Sequence, residues 1–138
     1  MRFPNTNLVT IRTDLADLDH ADLTRRLDLR STDAPPLDGL VAANSLHFID
    51  SSAQIDTIRA LVSSLRPSGR FIVVEYDADR GNEWVPHPFS FERWTAMSVA
   101  AGLSVPSRIG RVPSRFLGAI YAAVSERPGP SLQVGYPG

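Results

Sequence analysis

The chain has 138 residues, 43% hydrophobic and 21% charged, an ordinary composition for one domain with a buried core. Its formal net charge of -1, with arginines scattered rather than clustered, gives no electrostatic reason to expect nucleic acid or a membrane surface as partner. Cysteine is absent, which excludes a disulfide framework, a thiolate nucleophile and a cysteine-based zinc site. No apolar run approaches the about 20 residues that span a bilayer. The opening MRFPNTN lacks the apolar stretch of a signal peptide, so the expected compartment is the cytoplasm.

In chain order, residues 8–15 (LVTIRTDL) predict a short strand ending in Asp14. Residues 16–29 keep Leu18, Leu23, Leu27 and Leu29 at only a rough helical spacing, which fits a short exposed helix or an irregular loop. Pro35 and Pro36 make a turn. Residues 38–43 (DGLVAA) are small and apolar without alternation, as in a strand covered on both faces. Asp50, Ser51 and Ser52 offer helix caps, and Ser51 with Gln54 fits a capping box. The helix that follows aligns Ile55, Ile58, Leu61, Val62 and Leu65 in one stripe, with Arg66 at its C-terminus and Pro67 and Gly69 as stops.

Residues 70–76 (RFIVVEY) are the clearest strand pattern, and residues 77–89 a long polar loop holding Trp84, Pro86, His87 and Pro88. Ser90 then caps a second helix, whose apolar face is Phe91, Trp94, Met97 or Val99, and Ala101, with Gly102 just past its end. Residues 103–112 and 116–125 read as two strands of an antiparallel hairpin. From residue 126 onward proline and glycine accumulate. The predicted organisation is an α/β domain over 1–125 and a disordered tail over 126–138.

Residues 37–77 together read strand, polar switch, helix, turn, strand, the βαβ unit of a parallel sheet. Ligands of such sheets bind outside the carboxyl ends of the strands. Those ends carry a polar cluster: Asn44, Ser45, His47, Glu75, Tyr76 and Asp77. No Gly-x-Gly occurs anywhere, so the glycine turn that lets a backbone approach a nucleotide-type cofactor is absent from the sequence.

The runs LDGLVAANSLHFI, LRPSGRFIVVEYD and WVPHPFSFERW resemble the C-terminal part of a class I S-adenosylmethionine-dependent methyltransferase, over roughly residues 8–125. The resemblance implies a truncated Rossmann-like methyltransferase domain that begins at the family's third strand. Its sheet would be mixed and mostly parallel, with an antiparallel C-terminal hairpin. In the family order, 3-2-1-4-5-7-6, the fourth, fifth, seventh and sixth strands would still form one contiguous sheet. The fourth would then expose an open edge, a liability for apolar strands. Residues 8–15 could slide in beside it, two chains could pair there as a homodimer, or the fragment could be unstable alone.

The resemblance also implies S-adenosylmethionine as cofactor and a small-molecule acceptor. Asp14 takes the place of the family's adenine-side acid, and Asn44 and Ser45 lie where cofactor and acceptor meet. His47 would be the general base, because imidazole ordinarily titrates near neutral pH. Glu75, Asp77, Trp84 and His87 would border the substrate pocket. Each has a plainer alternative: Asp14 as a strand-end cap, Asn44 and His47 satisfying backbone groups at a strand–helix junction, Trp84 as a loop anchor. His20, His47 and His87 are too scattered to suggest a metal. The expected function is thus a small-molecule methyltransferase or a fragment of one. The alternative is a non-catalytic remnant, or an interaction module unable to bind cofactor alone.

Overall fold

A computed structural model describes residues 36–130, the frame of everything below. Strand β1 (Leu37–Ala43) leads through a single 3-10 turn (Leu46–Phe48) into helix α1 (Ser51–Ser63). Strand β2 (Leu65–Tyr76) follows, then a long loop, helix α2 (Phe91–Ala100), and strands β3 (Ser107–Pro113) and β4 (Ala119–Glu126). The sheet order is β1-β2-β4-β3. β1 pairs parallel with β2, and β4 runs antiparallel to both its neighbours. This is the contiguous mixed sheet with an antiparallel C-terminal hairpin that the resemblance implies. Asp14 and the predicted strand over residues 8–15 lie outside the described residues.

The helices begin and end for local reasons. Asp50 caps α1, its carboxylate accepting from the Ser52 N–H at 3.0 Å and from the Ser52 hydroxyl at 2.7 Å. The capping box expected of Ser51 and Gln54 does not form, because Gln54 is drawn into the interior instead. The helix ends at Ser64, so Leu65 and Arg66 belong to β2 rather than to the last helical turn. Arg127 takes over the role foreseen for Arg66 there, its guanidinium meeting the carbonyls of Val62, Ser63 and Leu65. Glu126 closes β4 and Arg127 exchanges two backbone hydrogen bonds with the Ser68–Gly69 turn. Glu126 is therefore strand, at the start of the stretch where composition predicts a tail, and residues 131–138 of that stretch lie outside the described residues. For α2, Ser90 accepts from the Arg93 N–H and Gly102 follows at φ +100, as the sequence predicts.

Both helices cover one face of the sheet. Ile58 and Val62 of α1, and Trp94 and Met97 of α2, meet Phe71 and Val73 of β2 and Tyr121 and Ala123 of β4. Trp94 is the centre of this core: it stacks on Phe89 at 5.6 Å and leans on Phe71 at 5.7 Å between ring centroids. β1 is less covered than its composition suggests. Among its residues only Ala42 is buried, and Val41 is 64% exposed. The strand is the sheet's edge among the described residues, so an apolar run suited to two covered faces keeps one open.

Candidate functional site

The polar ends of β1 and β2 sit side by side because the two strands are parallel neighbours in register from Gly39 to Ala43. β1 stops at Asn44, whose φ of +50 lies in the left-handed region that asparagine tolerates better than most residues. That kink redirects the chain into the short 3-10 turn. There His47 points inward, 3% exposed, while Phe48 stays half in solvent.

His47 Nδ1 lies 2.5 Å from Glu75 Oε1, in a buried pair. The same oxygen accepts from the Tyr76 N–H at 3.1 Å, and Oε2 has no partner among the described residues. With Glu75 as a carboxylate, which only accepts, and a neutral ring, the shared proton sits on Nδ1 and Nε2 is an acceptor. The described residues give Nε2 no partner. The ring is steadied by Phe48 at 4.3 Å and edge-on by Tyr76 at 5.7 Å.

In front of this pair is a cavity of about 380 Å³. Phe48, Tyr76, Trp84 and Phe116 give it aromatic walls, Val85 adds an aliphatic one, and Asn44 and His47 supply side-chain polar groups. Two links hold the walls in place. Gln54 Nε2 reaches the carbonyls of Leu46, Ile49 and His87, and the His87 N–H donates to the His47 carbonyl at 2.9 Å, so the loop is pinned over the 3-10 turn. Asn82 accepts from the N–H groups of Trp84 and Val85 and donates to the Phe116 carbonyl at 3.2 Å, bridging loop and hairpin. Gly81 makes this turn because a Cβ there would collide with the Val85 and Pro86 carbonyls.

The sequence-predicted residues therefore divide. Asn44, His47 and Trp84 line the cavity. Glu75 does not border it; as a core-facing residue of β2 it stands behind His47 and orients it. Asp77 is structural, accepting from the Phe91 N–H at the start of α2 and pairing with Arg111 at 3.0 Å. Burial pushes its carboxyl up, but the Phe91 hydrogen bond and then Arg111 outweigh this and hold it below the ordinary carboxylate range. His87 serves through its backbone. Ser45 is half-buried beside the cavity without lining it. Phe48, Val85 and Phe116 were not foreseen: nothing in their spacing marks them, and only the hairpin brings Phe116 to the strand ends.

No protein-family model and no curated protein matches this chain. Solved structures do. It superposes on the 1,6-didemethyltoxoflavin-N1-methyltransferase of Burkholderia thailandensis, solved with 1,6-didemethyltoxoflavin and S-adenosylhomocysteine bound, at TM-score 0.58 and 18% identity, covering 86% of this chain and 50% of that one. An O-methyltransferase family protein from the same organism matches at TM-score 0.56 and 12% identity, over 86% and 35%. The N-methyltransferase NodS of Bradyrhizobium japonicum, in complex with S-adenosylhomocysteine, matches at 0.52 and 17%, over 84% and 52%. The chain thus spans between 35% and 52% of the length of these proteins. At such identity the likeness is one of fold: a mixed, Rossmann-like α/β sheet like that found in part of these methyltransferases.

Of the residues that the sequence assigns to a cofactor, Asn44 and Ser45 are described. The Asn44 amide is exposed at the lip of the strand ends, and neither it nor the Ser45 hydroxyl is engaged by another described side chain or backbone group. Nothing among the described residues supplies a glycine-rich cradle. Nor do three or more His, Asp or Glu side chains converge there in a way that would hold a metal ion. No described helix is long and apolar enough to cross a membrane.

Proposed function

We propose that this chain forms the acceptor side of an S-adenosylmethionine-dependent methyltransferase acting on a hydroxyl or amine of a small molecule. The observation that carries the reading is the buried His47–Glu75 pair at the floor of a cavity outside the carboxyl end of β1. S-adenosylmethionine, when bound, supplies a methyl group on a positively charged sulfur. This chain's residues do the rest of the work that a displacement needs, which is mostly positioning and removal of one proton. Nε2 of His47 accepts the proton of the acceptor's O–H or N–H. Glu75 fixes the ring's tautomer and orientation and sits close to the imidazolium charge that results. Asn44 offers an amide to orient the acceptor or the edge of the cofactor. The aromatic walls shield a bound acceptor from water.

The test is incubation of the full chain with labelled S-adenosylmethionine and a panel of small hydroxylated and amino compounds, read by mass spectrometry. Gain of one methyl group, lost in His47→Ala and reduced in kcat rather than KM in Glu75→Gln, is the expected result. Turnover that survives His47→Ala removes the base assignment. No transfer to any compound, with no calorimetric binding of S-adenosylmethionine up to millimolar concentration by a chain that melts cooperatively, removes the enzyme reading.

One observation favours a second reading, an interaction module. The outer edge of β1 has no strand partner among the described residues, and Val41 beside it is exposed. Pairing of two chains through that edge predicts a dimer in sedimentation at high concentration; a stable monomer there sinks it.

A further inference from the structure

We infer that the cavity is built for a flat aromatic ligand of one or two rings that carries a single hydroxyl or N–H on its edge. The inference rests on the acceptor-side reading above only for what becomes of that group, not for binding. Three of the described chain's largest exposed hydrophobic side chains, Phe48, Trp84 and Phe116, converge on this one cavity, at 47%, 67% and 68% exposure. The fold does not need them there, since none belongs to the core. Left in water they are unfavourable surface, and gathering them in one place points to a ligand that covers them. Their chemistry specifies its shape: aromatic walls favour another ring, face to face or edge to face. Asn82 holds two of these walls, joining the Trp84 turn to the Phe116 carbonyl, so the slot exists before anything enters it.

Size and polarity set the rest. A volume of about 380 Å³ lies at the small end of ligand pockets and suits a mono- or bicyclic compound rather than a long chain. Side-chain hydrogen-bonding groups come from Asn44, His47 and the Tyr76 phenol, while the wall itself carries no Lys, Arg, Asp or Glu. A formally charged ligand would lose its hydration without gaining a counter-charge there. A neutral ring with one donor can place that donor on His47 Nε2.

The experiment is a fluorescence titration of the full chain. Trp84 is largely exposed and reports the slot; Trp94 is fully buried and gives a steady background. 2-Naphthol is the probe, with its saturated analogue decahydro-2-naphthol and the charged 2-naphthalenesulfonate as comparisons. Saturable quenching by 2-naphthol is expected, at least about tenfold tighter than either comparison. Phe116→Leu should weaken it by about tenfold while leaving the melting temperature within a few degrees, because Phe116 lies outside the core. Equal affinity for the saturated analogue overturns the ring assignment, and tighter binding of the sulfonate overturns the neutral one. No quenching by a folded chain overturns the proposal. Ring binding without methyl transfer would sink the transferase reading and leave this one standing. Transfer to an aliphatic amine without ring binding would do the reverse.

Discussion

His47 and Glu75 are 28 positions apart, and the sequence marks each at a strand end without pairing them. Their meaning comes from being each other's partner in a buried place. Removing one leaves the other's polar atoms buried and unpaired, which costs more than the hydrogen bond itself contributed. His47→Ala is therefore expected to lower stability by about 2–4 kcal/mol, read by urea unfolding. Replacing both with apolar residues of similar volume should restore much of that loss; a double variant no more stable than His47→Ala would show that the pair is not the cause. Tyr121 is a second buried polar residue, its hydroxyl donating to the Phe89 carbonyl at 2.9 Å. Burial, followed by the carboxyl groups of Glu75, Asp77 and Asp79, raises its phenol far above the ordinary value near 10. A raised value means the unfolded chain gives up this proton first. The stabilisation is complete below pH of about 10 and is lost as the pH rises above it. Tyr121→Phe should lower stability at pH 7 by about 1 kcal/mol. It should also flatten the alkaline fall between about pH 10 and 11, measured by thermal melts.

At the scale of elements, the decisive pieces are the turns that hang between them. Asp77, at the end of β2, ties the first N–H of α2 and the β3 guanidinium of Arg111 into one knot. Its carboxyl is held below the ordinary range, so it contributes stability above the unfolded value and loses it as pH falls through the lower folded one. Asp77→Asn is expected to cost about 1–2 kcal/mol at pH 7 and much less near pH 2, so the variant and the parent should converge in acid. Equal differences at both pH values would show that the loss is one of shape. The α1 stripe from Ile55 to Val62, the Ser90 cap and the Gly102 stop were legible, since each depends on spacing within one element, whereas Leu65 went to β2. Gln54 was misread because its partners, Leu46, Ile49 and His87, come from two loops that local spacing cannot bring together.

For the whole molecule, the same reasoning separates core from site. Trp94 touches both a strand and the loop residue Phe89, and it is sealed from solvent. Trp94→Ala should cost about 3–5 kcal/mol, a large fraction of the stability of a domain this small, and the melt should broaden or vanish. A cooperative melt near the parent's temperature would show that the two helices are held mainly elsewhere. Trp84, ten positions earlier and equally aromatic, is left outside. No pattern in the sequence tells these two tryptophans apart except the helical register of one of them.

Within residues 36–130 the sequence by itself determined the strand and helix order, the βαβ unit and the hairpin, because periodicity, caps and breakers act over a few residues. It also marked the strand ends, including His47, as the place for chemistry, because parallel sheets leave their carboxyl ends polar. Only the tertiary structure decided which of those polar residues face a ligand. Side chains alternate along β2, so Glu75 turned inward to His47 while Tyr76 went to the cavity wall. Phe116 joined that wall through the turn between β3 and β4, where Asn82, 34 positions earlier, holds its carbonyl. Contacts at that distance follow from the packing of elements, which local physics does not encode.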